Sequence, residues 1–225
     1  MTATHLQTVG LLIDICAAAI LVTAFLIVSS RSLGFYIRLF ALQSFLLGGV
    51  ALLVAIGYGV SHILIAAVLT IAVKGIAIPL VLTKVIERIG VKREIDFSVN
   101  ITVSLLLCGG MVILADSVAQ SILGANKPDT SAVSRVLSVS IAMMLIGLFI
   151  MTSRKKALTQ IVGLLTMENG VFLSGLSITY GMPLIVEVGI FFDILVAVLI
   201  LGVFVFRINK TFESISIDAL RSLRH

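Results

Sequence analysis

Seven predominantly apolar runs, each about as long as one membrane crossing, constrain this chain more than any other feature. A helix needs about 20 apolar residues to cross the hydrocarbon core of a bilayer. Runs of that kind occupy residues 9–29, 39–60, 63–86, 97–123, 133–151, 158–180 and 184–206. They are apolar all round rather than alternating, which excludes a β-barrel. The first run is too long and too weakly basic at its start for a signal peptide, and it lacks a small-residue cleavage site, so it reads as a true span. Composition agrees: 60% of the 225 residues are hydrophobic and 12% are charged. A water-soluble fold of this size cannot bury that much apolar surface. The expectation is an all-α, polytopic membrane protein of seven helices. A disordered tail, a nucleic-acid binder and a disulfide scaffold are excluded with it.

The charges between the runs set an orientation. The basic residues of the Arg31–Arg38 connection, those from Lys84 to Arg93, the Arg154-Lys155-Lys156 run and the tail from Arg207 to Arg224 lie on one alternate set of connections. That set holds thirteen basic residues against two, Lys127 and Arg135, on the other. Basic residues collect on the cytoplasmic side. The split predicts an N-terminus outside and a C-terminus in the cytoplasm, and it accounts for the net charge of +5 without a polyanionic partner. Tyr36, Tyr58 and Tyr180 fall near predicted span ends and read as interfacial anchors.

No soluble catalytic centre is visible. Cys16 and Cys108 sit singly in apolar runs, and His5, His62 and His225 lie at termini or span ends, so no set of metal or cluster ligands emerges. No HExxH, Gly-rich phosphate loop or GxSxG occurs. The expectation is no metal and no cofactor in this chain.

The informative residues are charges placed where charges are expensive. An ionisable side chain at mid-bilayer costs about 2.5–3.5 kcal/mol even on a lenient scale. Lys74 lies near the middle of the third run, Glu168 near the middle of the sixth and Asp193 near the middle of the seventh. At about 1.5 Å rise per residue, the three fall at similar depth on different helices. Two carboxylates and a lysine in one dry plane predict a proton relay, with a static ion pair between helices as the alternative. Glu187, about a turn into the seventh run, and Asp14, a third of the way into the first, are weaker candidates for a path. Gln43, Asn100, Gln160 and Asn169 could carry a water chain or bond helix to helix. Pro79 removes one helical hydrogen bond and frees the Gly75 carbonyl beside Lys74, which predicts a kink there. Gly48-Gly49 and Gly109-Gly110 read as sites of close helix packing.

Two stretches resemble known proteins. The run from Gln160 through Gly163 to Glu168-Asn169-Gly170 resembles the second helix of the complex I K subunit, which carries a mid-membrane glutamate. The third helix of that subunit carries another carboxylate, matched here by Asp193, an Asp where complex I has Glu. The C subunit of multi-subunit cation/proton antiporters shares the plan. Those relatives are about half this length. The whole chain resembles the hydrogenase-4 component E family, which has additional N-terminal helices before the K-like part. The residues that carry the likeness are Tyr36 to Gln43, Leu69 to Lys74 and Pro79, Met167-Glu168-Asn169-Gly170, and the tail through Leu220-Arg221.

The resemblance implies a four-helix N-terminal part (1–131), a K-like three-helix part (132–207) and a cytoplasmic or interfacial tail (208–225). It also implies a multi-pass protein of a bacterial or archaeal cytoplasmic membrane. Its role would be that of a membrane-arm subunit of a nickel–iron hydrogenase or formate hydrogenlyase-type complex, with redox centres held elsewhere. Its partners would be antiporter-like membrane subunits, peripheral hydrogenase-like subunits and lipid. Glu168, Asp193 and Lys74 would help couple electron transfer to proton or sodium movement. Antiporter subunit and structural scaffold are the alternatives.

Overall fold

The computed structural model describes residues 3–89, 100–123 and 131–179. Helices α1 (Ala3–Ser29) and α2 (Leu33–Tyr58) form an antiparallel pair joined at residues 30–32. Helix α3 (Ser61–Thr70) leads through a π-helical segment (Ile71–Ala77) into α4 (Ile78–Ile89), the three making one continuous rod. Helices α5 (Ile101–Leu123), α6 (Ser131–Ser153) and α7 (Ala157–Thr179) follow. Every regular element among the described residues is helical, as expected. Among the described residues six helical spans are long and apolar enough to cross a membrane, so the chain is a multi-pass membrane protein. The seventh expected span, and with it Glu187 and Asp193, lies outside the described residues, as does the tail.

Helix α2 begins at Leu33, earlier than the apolar run at 39 predicts. Arg38 is exposed on its first turns, where a long basic side chain can lie along apolar surface with its head toward water, so the charge does not end the helix. The helix stops at Gly59, whose φ of 71° is the left-handed conformation that glycine adopts without strain.

Helices α6 and α7 pack most closely, and glycine is the reason. A Cβ at Gly147 would lie 2.7 Å from the Gly163 carbonyl, one at Gly163 2.9 Å from the Met151 nitrogen, and one at Gly170 2.8 Å from the Ser140 carbonyl. The obstacles are backbone atoms, which cannot swing aside, so all three positions need glycine. On the other side of the bundle, Gly48 of α2 admits the Ile71 side chain, and Gly75 of the π segment lies under the Phe45 ring. Gly49, Gly109 and Gly110 have open space where a Cβ would be, so the expectation of close packing holds for Gly48 and fails for these three.

The Pro79 kink takes the form of a widened turn. The Ile78 N–H bonds to the Val73 carbonyl, five residues back, just before the proline that cannot donate. A π turn adds a residue to one turn of helix and rotates everything after it. It stands in the middle of the rod and holds Lys74.

Candidate functional site

Lys74 lies halfway along the span Ile63–Lys84 and Glu168 halfway along Leu158–Ile178. The structure brings them together: Lys74 Nζ is 3.5 Å from Glu168 Oε1. Both side chains are shut away, at 1% and 7% exposure. Neither charge has bulk water to solvate it, so each depends on the other and on neighbouring polar groups. The π turn delivers the lysine, and the close α6–α7 packing fixes the helix that delivers the glutamate.

A second polar group lies beside this pair. Asn169, next in sequence to Glu168, donates from Nδ2 to Gln43 Oε1 of α2 at 3.2 Å. Gln43 in turn donates from Nε2 to Thr23 Oγ1 of α1 at 3.2 Å and lies 3.7 Å from the Met143 sulfur of α6. Gln43 and Asn169 are fully buried. Of the two roles open to them in sequence, bonding between helices is what the geometry shows. Gln43 thus links α1, α2, α6 and α7, and the ion pair joins the π segment to α7.

Asp14 is elsewhere. Its Oδ2 accepts from Arg135 of α6 at 2.6 Å, and Arg135 is 59% exposed on its side chain. Nearby on α6, Ser138 donates to Asp116 of α5, which also accepts from Gln120. The Arg135–Asp14 and Ser138–Asp116 bonds tie α6 to α1 and to α5. Among the described residues no group of three His, Cys, Asp or Glu side chains could hold a metal.

Two residues matter more than their sequence positions indicated. Arg154 reads as an ordinary loop charge, yet it is 2% exposed. Its guanidinium donates to the Val28 carbonyl, one of the acceptors that the end of α1 leaves without a helical partner. Its own carbonyl accepts from Gln160 at 2.9 Å. Burial pushes its pKa below the ordinary arginine value, and the neighbouring Tyr36 opposes that shift. Tyr36 is fully buried against Arg154, so it is no interfacial anchor. A basic residue one position past a span, facing a helix C-terminus, was the available signal.

Comparison with known proteins places these residues in context. The chain is 30% identical to an uncharacterized protein of Mycobacterium tuberculosis, over 96% of this chain and 97% of that one. It is 23% identical to the hydrogenase-4 component E of Escherichia coli, over 97% of this chain and the full length of the relative, and the same holds for that of Shigella flexneri. No family model matches, and no solved structure matches.

Proposed function

Because this chain belongs to the hydrogenase-4 component E family, we propose that it serves as a membrane subunit of a hydrogenase-type complex and helps couple electron transfer to ion movement. The observation that carries the coupling role is the Lys74–Glu168 pair, held 3.5 Å apart midway along two spans. A carboxylate beside a buried cation is poised between two states. The cation favours the charged form, while burial favours the protonated one. A change in the charge of a neighbouring subunit can then tip the balance, and Glu168 takes up or releases a proton. Lys74 stands in a π turn, a rare widening of the helix that is frequent at functional sites.

Asp193 belongs in this reading as a second carboxylate of the relay, with Glu187 and Asp14 as flanking positions. Redox centres sit in peripheral hydrogenase-like subunits, and antiporter-like subunits complete the membrane arm. The N-terminus faces outward and the C-terminus the cytoplasm, through seven spans of a cytoplasmic membrane, as the charge of the connections supports. One subunit with so few charges does not gate an ion alone. Moving one elementary charge exchanges about 2.3 kcal/mol per 100 mV, and that energy has to come from the redox partner.

A structural reading draws on the hydrogen bonds from Asn169 to Gln43 and from Gln43 to Thr23 and on the Asp14–Arg135 pair, all of which join helices. Purification of the tagged chain after crosslinking in its native membrane tests the assignment. A nickel–iron large subunit together with antiporter-like subunits is the expected result. Antiporter-like subunits without a redox protein would move the chain to a cation/proton antiporter. A chain recovered alone would contradict its role as a subunit.

A further inference from the structure

Thr166 and Asn169 lie one turn apart on the same side of α7, at 0% and 1% exposure. Asn169 commits its amide nitrogen to Gln43, but among the described residues its Oδ1 receives no hydrogen bond, and the Thr166 hydroxyl makes none. The silence of Thr166 is unlike its counterparts. Thr23, Thr83 and Thr159 each return their hydroxyl to a carbonyl three or four residues back. Thr166 has the same option within its own helix and leaves it. Buried polar atoms in folded proteins find either protein or ordered water. Here a buried acceptor and a buried hydroxyl able both to donate and to accept lie one helical turn apart, and the acceptor belongs to the Gln43–Asn169 amide pair.

We propose that Thr166 and Asn169 hold one internal water, which donates to Asn169 Oδ1 and bonds to Thr166 Oγ1. The site continues the Thr23–Gln43–Asn169 line along α7. With the water in place, Asn169 is held at both polar ends, by Gln43 on its nitrogen and by the water on its oxygen. That fixes the rotation of α7 and the direction from which Glu168, the next residue, meets Lys74. Thr166 is then a positioning residue for Glu168, acting through the water and Asn169; this role rests on the relay reading above, whereas the water site itself does not.

High-resolution imaging of the assembled complex tests the site. A water within about 3 Å of both Thr166 Oγ1 and Asn169 Oδ1 is the expected result. A map that resolves other internal waters and none here overturns the proposal. The role is tested by Thr166→Val, which keeps the side-chain volume and removes the hydroxyl. It should lower ion translocation per redox turnover about 3- to 10-fold, the effect of one lost hydrogen bond, and shift its pH profile. Thr166→Ser should restore both. A Thr166→Val complex that behaves as the parent refutes the positioning role, and if that variant does not assemble, the map of the parent and the behaviour of Thr166→Ser decide. Glu168→Gln measured in parallel separates the two claims. If it too leaves translocation unchanged, the relay reading fails, and the water still stands or falls by the map.

Discussion

Lys74 Nζ lies 3.5 Å from Glu168 Oε1, on two helices whose chain positions are far apart, and both side chains are closed off from the surroundings. Each charge taken out of water costs several kcal/mol, which their attraction offsets only while both are present. Removing either alone leaves an uncompensated charge. Lys74→Met or Glu168→Leu should therefore destabilise the chain by about 3–5 kcal/mol, whereas the double substitution should recover most of that loss. Unfolding of the purified chain in detergent measures it. Additive losses in the double variant would show that the pair does not interact.

The Gln43–Asn169 bond makes a parallel prediction with a smaller number. Gln43→Leu leaves the Asn169 amide and Thr23 without their partner, so it should cost about 1–3 kcal/mol. Gln43→Leu with Asn169→Leu removes both amides and should cost less than the two single changes together. A double-mutant cycle on unfolding gives the coupling.

Glycines at the α6–α7 contact should be intolerant, and those with open space should not be. Gly170→Ala drives a methyl into the Ser140 carbonyl and should cost about 1–3 kcal/mol, the range for overpacking. Gly109→Ala meets nothing within 4 Å and should be neutral or slightly stabilising, because alanine favours the helix. Yield of folded chain from membranes separates the two variants.

Most of the helices were legible because the bilayer leaves so little choice. Each apolar run had to become a spanning helix, and the six among the described residues did. Lys74 and Glu168 stood out for the same reason, as charges inside those runs. Their pairing could not be read along the chain, since it depends on how the helices are rotated about one another. Pro79 announced a disturbance but not its form, because a kink and a π turn begin from the same missing donor. Arg154 and Tyr36 were misread together. A cation after a span and a tyrosine near a span start look like interfacial residues until the end of α1 is packed against them. The need for glycine at Gly147 and Gly163 is likewise set by backbone from a neighbouring helix.

Arg154 supplies the fourth prediction. Arg154→Ala removes a buried, charge-assisted hydrogen bond to the Val28 carbonyl, worth about 1.5–3 kcal/mol. Arg154→Lys should restore little of this, since a lysine lacks the planar fork that can reach the α1 carbonyl and face Tyr36 together. Limited proteolysis of membranes should show the 30–32 turn opening first in both variants, and equal protection in Arg154→Lys and the parent would refute the account of that end.

The central claim is that Glu168 changes its protonation as the complex turns over. Its most direct test is Glu168→Gln in assembled complex, reconstituted into sealed vesicles, with ion translocation measured per electron transferred. Glutamine keeps the size and loses the exchangeable charge. The account predicts that electron transfer continues while translocation per electron falls by about 10²-fold or more, the scale on which a positioned proton-transferring group acts. Translocation per electron equal to that of the parent, in a complex of unchanged composition, would contradict it and leave Lys74 and Glu168 as a structural pair.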